Sequence, residues 1–311
     1  MMMVLFQDKI IYMPGMPPFS RSEKIEHYAS ACKPVQWEEK HIKSLDGTKI
    51  ALCIGRLPQN TDGGGEVNSS KAIKPKEVVI CYFQGNGSST PPRLPILSSV
   101  LKLLQAQYPN TVPRVRFTII GLAYRGYWTS SGRASQSGIE LDAQALLEHV
   151  STMYPQPVTE LEVVLWGQSV GAGVATTAAA SYLSHFDESK PLIAGLVLET
   201  PFSGIKGMLI AMYPQKWLPY RYLSPFLWNH WDSETALRQI AAFSKPPKVL
   251  LVPGTRDEIV PAEEADKLEE LCEELSLEHE RKDVVGALHN ETTIRRDGQQ
   301  SIARFIADIT K

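Results

Sequence analysis

Six short runs of apolar and β-branched residues recur along this chain, with helix-patterned stretches between most of them. The runs are IALCIG (50–55), VVICYF (78–83), VRFTIIGL (115–122), LEVVLW (161–166), LIAGLVLE (192–199) and KVLLVPG (248–254). The helical patterns include LPILSSVLKLLQAQ, IELDAQALLEHVSTMY and GVATTAAASYLSHF, with PAEEADKLEELCEEL after the last run. Strands that are apolar throughout have no polar face to turn to water, so both faces of their sheet must be covered. Helices alternating with the strands supply that cover and make the strands mainly parallel. The expected fold class is therefore α/β, a mostly parallel central sheet with helices on both faces. Ligands bind beyond the carboxyl ends of the strands in such sheets. Candidate chemistry is sought just after each run.

After LEVVLW comes Gly167-Gln168-Ser169-Val170-Gly171, and then an alanine-rich, helix-prone stretch. A serine flanked by glycines two residues away on either side, between strand and helix, has the pattern of a nucleophile elbow. Side chains at 167 and 171 would collide with the neighbouring strand and helix. The turn lifts the serine oxygen above the sheet, beside a helix N-terminus that favours negative charge. A plain glycine-rich bend is the competing reading, and the strand–turn–helix context favours the nucleophile.

A serine hydroxyl needs a base. In the fold that uses this elbow the order is serine, then acid, then histidine. Asp257 follows KVLLVPG in TRDEIVP, and His289 ends the strand-like run EHERKDVVGAL. His289 is expected to take the Ser169 proton on one ring nitrogen, while Asp257 holds the other. Glu199, at the end of LIAGLVLE, is the rival acid, and Glu258 is expected to point elsewhere. His27, His41, His149, His185 and His279 read as surface or core residues. Negative charge developing on a carbonyl oxygen also needs donors already in place. The backbone N–H groups of Val170 and of Asn86, in the FQGNGSS loop after VVICYF, are the candidates. Gly85 and Gly87 allow close approach there.

One segment breaks the rhythm. Residues 208–233 carry Tyr213, Trp217, Tyr220, Tyr222, Phe226, Trp228 and Trp231 among prolines. They read either as a short cap, within an excursion over 204–243, or as a packed extra helix. Trp128, Trp217, Trp228 and His230 are candidate substrate contacts. Residues 58–76, PQNTDGGGEVNSSKAIKPK, are rich in glycine and serine and read as a flexible loop.

These stretches together resemble the α/β-hydrolase superfamily, and within it the family of α/β-hydrolase domain-containing protein thirteen and its fungal relatives. The resemblance rests on FQGNGSS, AYRGYWTSSGRASQSGIELDAQALL, LWGQSVGAGVA, and the pair VPGTRDEIVP and GALHNET. FQDKIIYMPGMPP also resembles the family's N-terminal segment. The resemblance implies a serine hydrolase of esters with an acyl or lipid portion. Related branches remove palmitate from protein cysteines, which extends the expectation to thioesters. Two positions depart from the family: Gln84 stands where histidine is usual, and Trp128 where glycine is common, which is expected to narrow the site. Relatives commonly carry an N-terminal membrane helix. Here the N-terminal stretch holds Asp8 and Lys9 and breaks at Pro14, short of the ~20 apolar residues a span needs.

With 311 residues, 43% of them hydrophobic, the chain is long enough for a single hydrolase domain over 1–311. A net charge of −2 gives no basic field for nucleic acid. The four cysteines lie far apart without a metal-ligand spacing, so neither metal nor cofactor is expected. The expected partner is a small-molecule or lipid ester, with possible contact to a membrane surface. The expected location is cytosolic or peripheral on a membrane. A depalmitoylase, a serine peptidase on the same fold and a non-catalytic scaffold stay open as alternatives.

Overall fold

The computed structural model describes residues 6–58, 76–108, 115–154, 160–212 and 225–311. Residues 59–75, nearly all of the expected flexible loop, lie outside the described residues, as do Tyr213, Trp217, Tyr220 and Tyr222.

All six apolar runs are strands. The sheet contains β1 (Gln36–Lys43), β2 (Lys49–Arg56), β3 (Lys76–Phe83), β4 (Val115–Ala123), β5 (Glu160–Gln168), β6 (Leu192–Glu199), β7 (Lys248–Val252) and β8 (His279–Arg281). They lie in the order β1-β2-β4-β3-β5-β6-β7-β8. The first two pairings, β1 with β2 and β2 with β4, are antiparallel. From β4 onward every pairing is parallel.

The two end strands carry no apolar run. β1 reads QWEEKHIK and is mostly exposed or half-buried. Among the described residues it pairs only with β2, and charged residues suit such an edge. The run expected to continue as strand to His289 is shorter than that. Its ladder stops at Arg281, one bridge joins Val284 to Gly254, and Gly286 turns the chain at φ +71°.

The helices among the described residues include α1 (Gln7–Tyr12), α2 (Leu94–Ala106), α3 (Gln136–Met153), α4 (Val170–Ser184), α5 (Ile205–Met212), α6 (Ser233–Ala241), α7 (Ala262–Glu274) and α8 (Arg296–Ile309), with short helical turns such as Ala29–Cys32 besides. Ser135 caps α3 through the Gly138 N–H, and Asp232 caps α6 through that of Thr235. Two cores sandwich the sheet. Val163 and Leu165 of β5 enter one, with α3, α4, α6 and α7. Val164 and Trp166 enter the other, with α2 and α8. Consecutive strand residues point to opposite faces, so a strand buried on both faces must be apolar at every position. Nearly all of α4 is buried, and its alanines keep that helix slim enough to lie close on the sheet. The four cysteines are free and buried. Among the described residues no helix is long and apolar enough to cross a membrane.

Candidate active site

Strand β5 runs into α4 through Ser169, whose backbone sits at φ +54°, ψ −121°. A non-glycine residue there stores roughly 1–3 kcal/mol of strain, and its surroundings hold it in place. The Ser169 N–H donates to the Glu199 carbonyl of β6 at 2.8 Å, and the Ser169 carbonyl accepts from the Ala172 N–H at 2.8 Å. A Cβ at Gly167 would lie 2.0 Å from the Gly171 carbonyl oxygen, and one at Gly171 would lie 2.1 Å from that of Phe83. Both glycines are therefore required by backbone contact. Val170 opens α4, where the first amides have no acceptor within the helix.

The tips of two loops bring Asp257 and His289 to this serine. His289 Nε2 is 2.9 Å from Ser169 Oγ, and His289 Nδ1 is 2.8 Å from Asp257 Oδ2. All three side chains are buried. Asp257 is oriented from its other side: its Oδ1 accepts the Ile259 and Val260 N–H groups, each at 2.8 Å. The loops are laced together by Arg256 N–H to the Ala287 carbonyl and Gly286 N–H to Thr255 Oγ1. A Cβ at Gly254 would sit 2.7 Å from the Ala287 oxygen, so the close approach of the two loops depends on that glycine. With Nδ1–H bonded to the carboxylate, Nε2 is left as an acceptor facing the serine hydroxyl.

The neighbouring acids have other tasks. Glu258 takes the backbone N–H of His289 at 3.0 Å. Glu199 is fully buried and bonds to neither ring nitrogen of His289. Its carboxylate accepts from Trp166 Nε1 at 3.1 Å, Gln168 Nε2 at 3.4 Å, Thr292 Oγ1 at 2.5 Å and Thr293 Oγ1 at 2.7 Å. It thereby ties the turn that follows His289 to the end of β5. Sequence position alone made this residue a rival acid, and nothing in the sequence marked the four donors.

The loop after β3 lies against the elbow. A Cβ on Gly85 would be 3.4 Å from both Ser169 Cβ and the Gln168 carbonyl oxygen. Gly87 has φ +65°, the left-handed conformation glycine takes without cost. Asn86 between them is exposed. Gln84 braces the loop from within: its Nε2 donates to the Gly87 carbonyl at 3.3 Å, and its Oε1 accepts from Thr90 Oγ1 at 2.8 Å. Outside support comes from the N-terminal segment, through Gly87 N–H to the Tyr12 carbonyl at 2.8 Å and Ser88 N–H to that of Met16. The sequence offered no signal for that contact beyond the resemblance of the segment itself.

The expected substrate contacts fare differently. Trp128 is 2% exposed and packs in the core on the α2/α8 face. Its indole N–H donates to the Glu23 carbonyl at 2.7 Å, and its own carbonyl accepts from Arg21. It anchors the N-terminal segment. Its φ is +40°, a left-handed conformation that glycine adopts without cost. Trp228 is half-exposed and donates to Asp8, and His230 is exposed with its N–H on Gln136. Their hydrogen bonds run to α1, α3 and, through the His230 carbonyl, the Ile205 N–H of α5, rather than to Ser169, Asp257 or His289. Trp217 lies outside the described residues.

A mostly parallel, doubly covered sheet with a strained serine between β5 and α4 is the architecture of the α/β-hydrolase fold. The chain has that fold. No protein-family model matches it. It is similar to the protein bem46 of Schizosaccharomyces pombe, 28% identical over 304 residues, covering 97% of this chain and 86% of the relative. It is also similar to the α/β hydrolase domain-containing protein WAV2 of Arabidopsis thaliana, 27% identical over 269 residues, covering 84% of this chain and 73% of that one. Among solved structures, an esterase from Pyrobaculum calidifontis superposes with a TM-score of 0.60 at 14% identity, covering 94% of this chain and 90% of the other. That likeness is one of fold.

Proposed function

We propose that this chain is a serine hydrolase that cleaves carboxylic ester or thioester bonds of an acyl- or lipid-bearing substrate through an acyl-enzyme. The observation that carries the reading is the continuous chain Asp257 Oδ2–His289 Nδ1 at 2.8 Å and His289 Nε2–Ser169 Oγ at 2.9 Å. Ser169 Oγ attacks the substrate carbonyl carbon as His289 Nε2 takes its proton. The N–H groups of Asn86 and Val170 hold the resulting oxyanion. Collapse breaks the bond to the leaving alcohol or thiol, which takes the proton back from His289. A water then gives its proton to His289, attacks the acyl carbon, and releases the acid and the free Ser169 hydroxyl. Asp257 keeps the imidazole in the required tautomer and stabilises the imidazolium. No step calls for a metal or a cofactor.

The excursion over 204–243 is assigned to binding the acyl portion. The exposure of Phe226 and Trp228 supports contact of this edge with a lipid surface. The similarity in fold to an esterase is consistent with ester chemistry.

The test is Ser169→Ala. Wild-type chain is expected to be labelled by a fluorophosphonate probe and to hydrolyse p-nitrophenyl acyl esters, and the variant to do neither. Labelling of the variant at the wild-type rate overturns the assignment of the nucleophile. Acyl esters, acyl-cysteine thioesters and peptide amides assayed side by side separate the ester and thioester readings from peptidase action.

A further inference from the structure

We propose that Tyr12 is a positioning residue for the oxyanion-binding loop, holding Gln84–Ser88 in register with the elbow through one buried side chain and its own carbonyl. The inference rests on the hydrolase reading, because it assigns a task within that reaction.

Tyr12 ends α1 and is fully buried. Its carbonyl oxygen accepts two donors, the Gly87 N–H at 2.8 Å and the Tyr127 hydroxyl. Its own hydroxyl donates to Asn229 Oδ1 at 2.6 Å and accepts from Trp231 Nε1 at 3.0 Å. Both partners are themselves fixed. Asn229 Nδ2 donates to Asp8 Oδ1 at 2.6 Å, and Asn229 Oδ1 also accepts the Gln136 N–H at 3.1 Å. Trp231 is fully buried beside Gly173 of α4, where a Cβ on the glycine would lie 2.9 Å from Trp231 Cβ. One residue therefore connects the loop after β3, the segment Asn229–Trp231 and the helix that begins at the elbow.

The loop is held at both ends. On the near side of Asn86 the Tyr124 hydroxyl donates to the Gln84 carbonyl at 2.8 Å. On the far side Tyr12 and Met16 take the N–H groups of Gly87 and Ser88. The Asn86 amide lies between the two anchors, so its direction is set by them. Burial pushes the Tyr12 phenol above its ordinary range, so the hydroxyl stays protonated and keeps both of its bonds at working pH. An oxyanion donor must lie about 2.7–3.1 Å from the oxygen it stabilises. A shift of a few tenths of an ångström in this loop is enough to cost rate without costing substrate binding.

Tyr12→Phe keeps the ring and the carbonyl and removes only the hydroxyl bonds. It is assayed in the full chain with p-nitrophenyl butyrate, with rates expressed per site titrated by a fluorophosphonate. Loss of a whole oxyanion donor costs about a hundred- to a thousandfold, and a displaced one is expected to cost about tenfold in kcat with KM within about twofold. Affinity for an alkylboronic acid, whose serine adduct is tetrahedral and anionic, is expected to weaken by a similar factor. A purely structural role lowers thermal stability or the number of titrated sites but leaves kcat per site and boronate affinity unchanged. That outcome overturns the proposal, as does a loss confined to KM. If Tyr12→Phe does not fold, Asn229→Ala breaks the same chain of bonds from the other end and is read by the same two ratios. An active wild type with an unaffected variant refutes Tyr12 alone. A wild type inert to both probe and ester refutes the hydrolase reading and this inference with it.

Discussion

Replacing Asp257 with asparagine tests the proposed mechanism at a single proton. The carboxylate is held on two sides. Its Oδ1 accepts two backbone N–H groups, from Ile259 and Val260, and its Oδ2 faces His289 Nδ1. In Asp257→Asn the amide oxygen must stay with the two N–H donors, since turning the amide over would set two donors against them. The amide NH₂ then points at His289 Nδ1, which can only accept. The ring proton is forced onto Nε2, the atom 2.9 Å from Ser169 Oγ. A protonated Nε2 cannot take the serine proton. The same tautomer error in a serine protease of unrelated fold costs about ten-thousandfold in kcat, which corresponds to about 5 kcal/mol at 1.36 kcal/mol per factor of ten. Steady-state hydrolysis of p-nitrophenyl butyrate and the rate of fluorophosphonate labelling are both expected to fall by about that factor, with the fold intact. A loss under about tenfold in either, in a variant that melts like wild type, refutes the argument from the two-sided carboxylate.

Two further outcomes follow from particular contacts. Glu199→Gln keeps an acceptor for Thr292, Thr293 and Gln168 but turns an NH₂ toward Trp166 Nε1; one buried donor left unpaired is expected to cost about 1–3 kcal/mol, read as a lower melting temperature, and an unchanged one would show that the four donors do not require the carboxylate. Gly171→Ala places a methyl group 2.1 Å from the Phe83 carbonyl oxygen, where only separation of β3 from the elbow relieves the clash; a destabilisation of at least about 4 kcal/mol is expected by urea unfolding, and a variant as stable as wild type would contradict the packing described.

The parts legible in the sequence are those in which a local pattern carries its own reason. Runs such as LEVVLW and LIAGLVLE are apolar at nearly every position because their strands are buried on both faces, and that pattern survives without knowledge of neighbours. Gly167 and Gly171 announced the elbow because the clash they avoid is between residues close in sequence and the adjoining strand. The edge strand β1 was not legible, since QWEEKHIK is paired on one side and needs no buried face. The packing of Trp128 was not legible, because its letter says nothing of its positive φ or of the Glu23 carbonyl that holds its indole.

By itself, then, the order of residues determined the class of fold, the position of the elbow and the chain order serine, acid, histidine. Those follow from periodicity and from steric limits within a few residues. Only the tertiary structure decided which acid meets His289, since Glu199 ends β6, Asp257 lies in the loop after β7, and their partners lie 93 and 32 residues away. It alone also placed the N-terminal segment against the loop at Gly87, 75 residues distant from Tyr12 along the chain. Hydrogen bonds between such distant groups depend on how strands order themselves in the sheet, and no local pattern encodes that order.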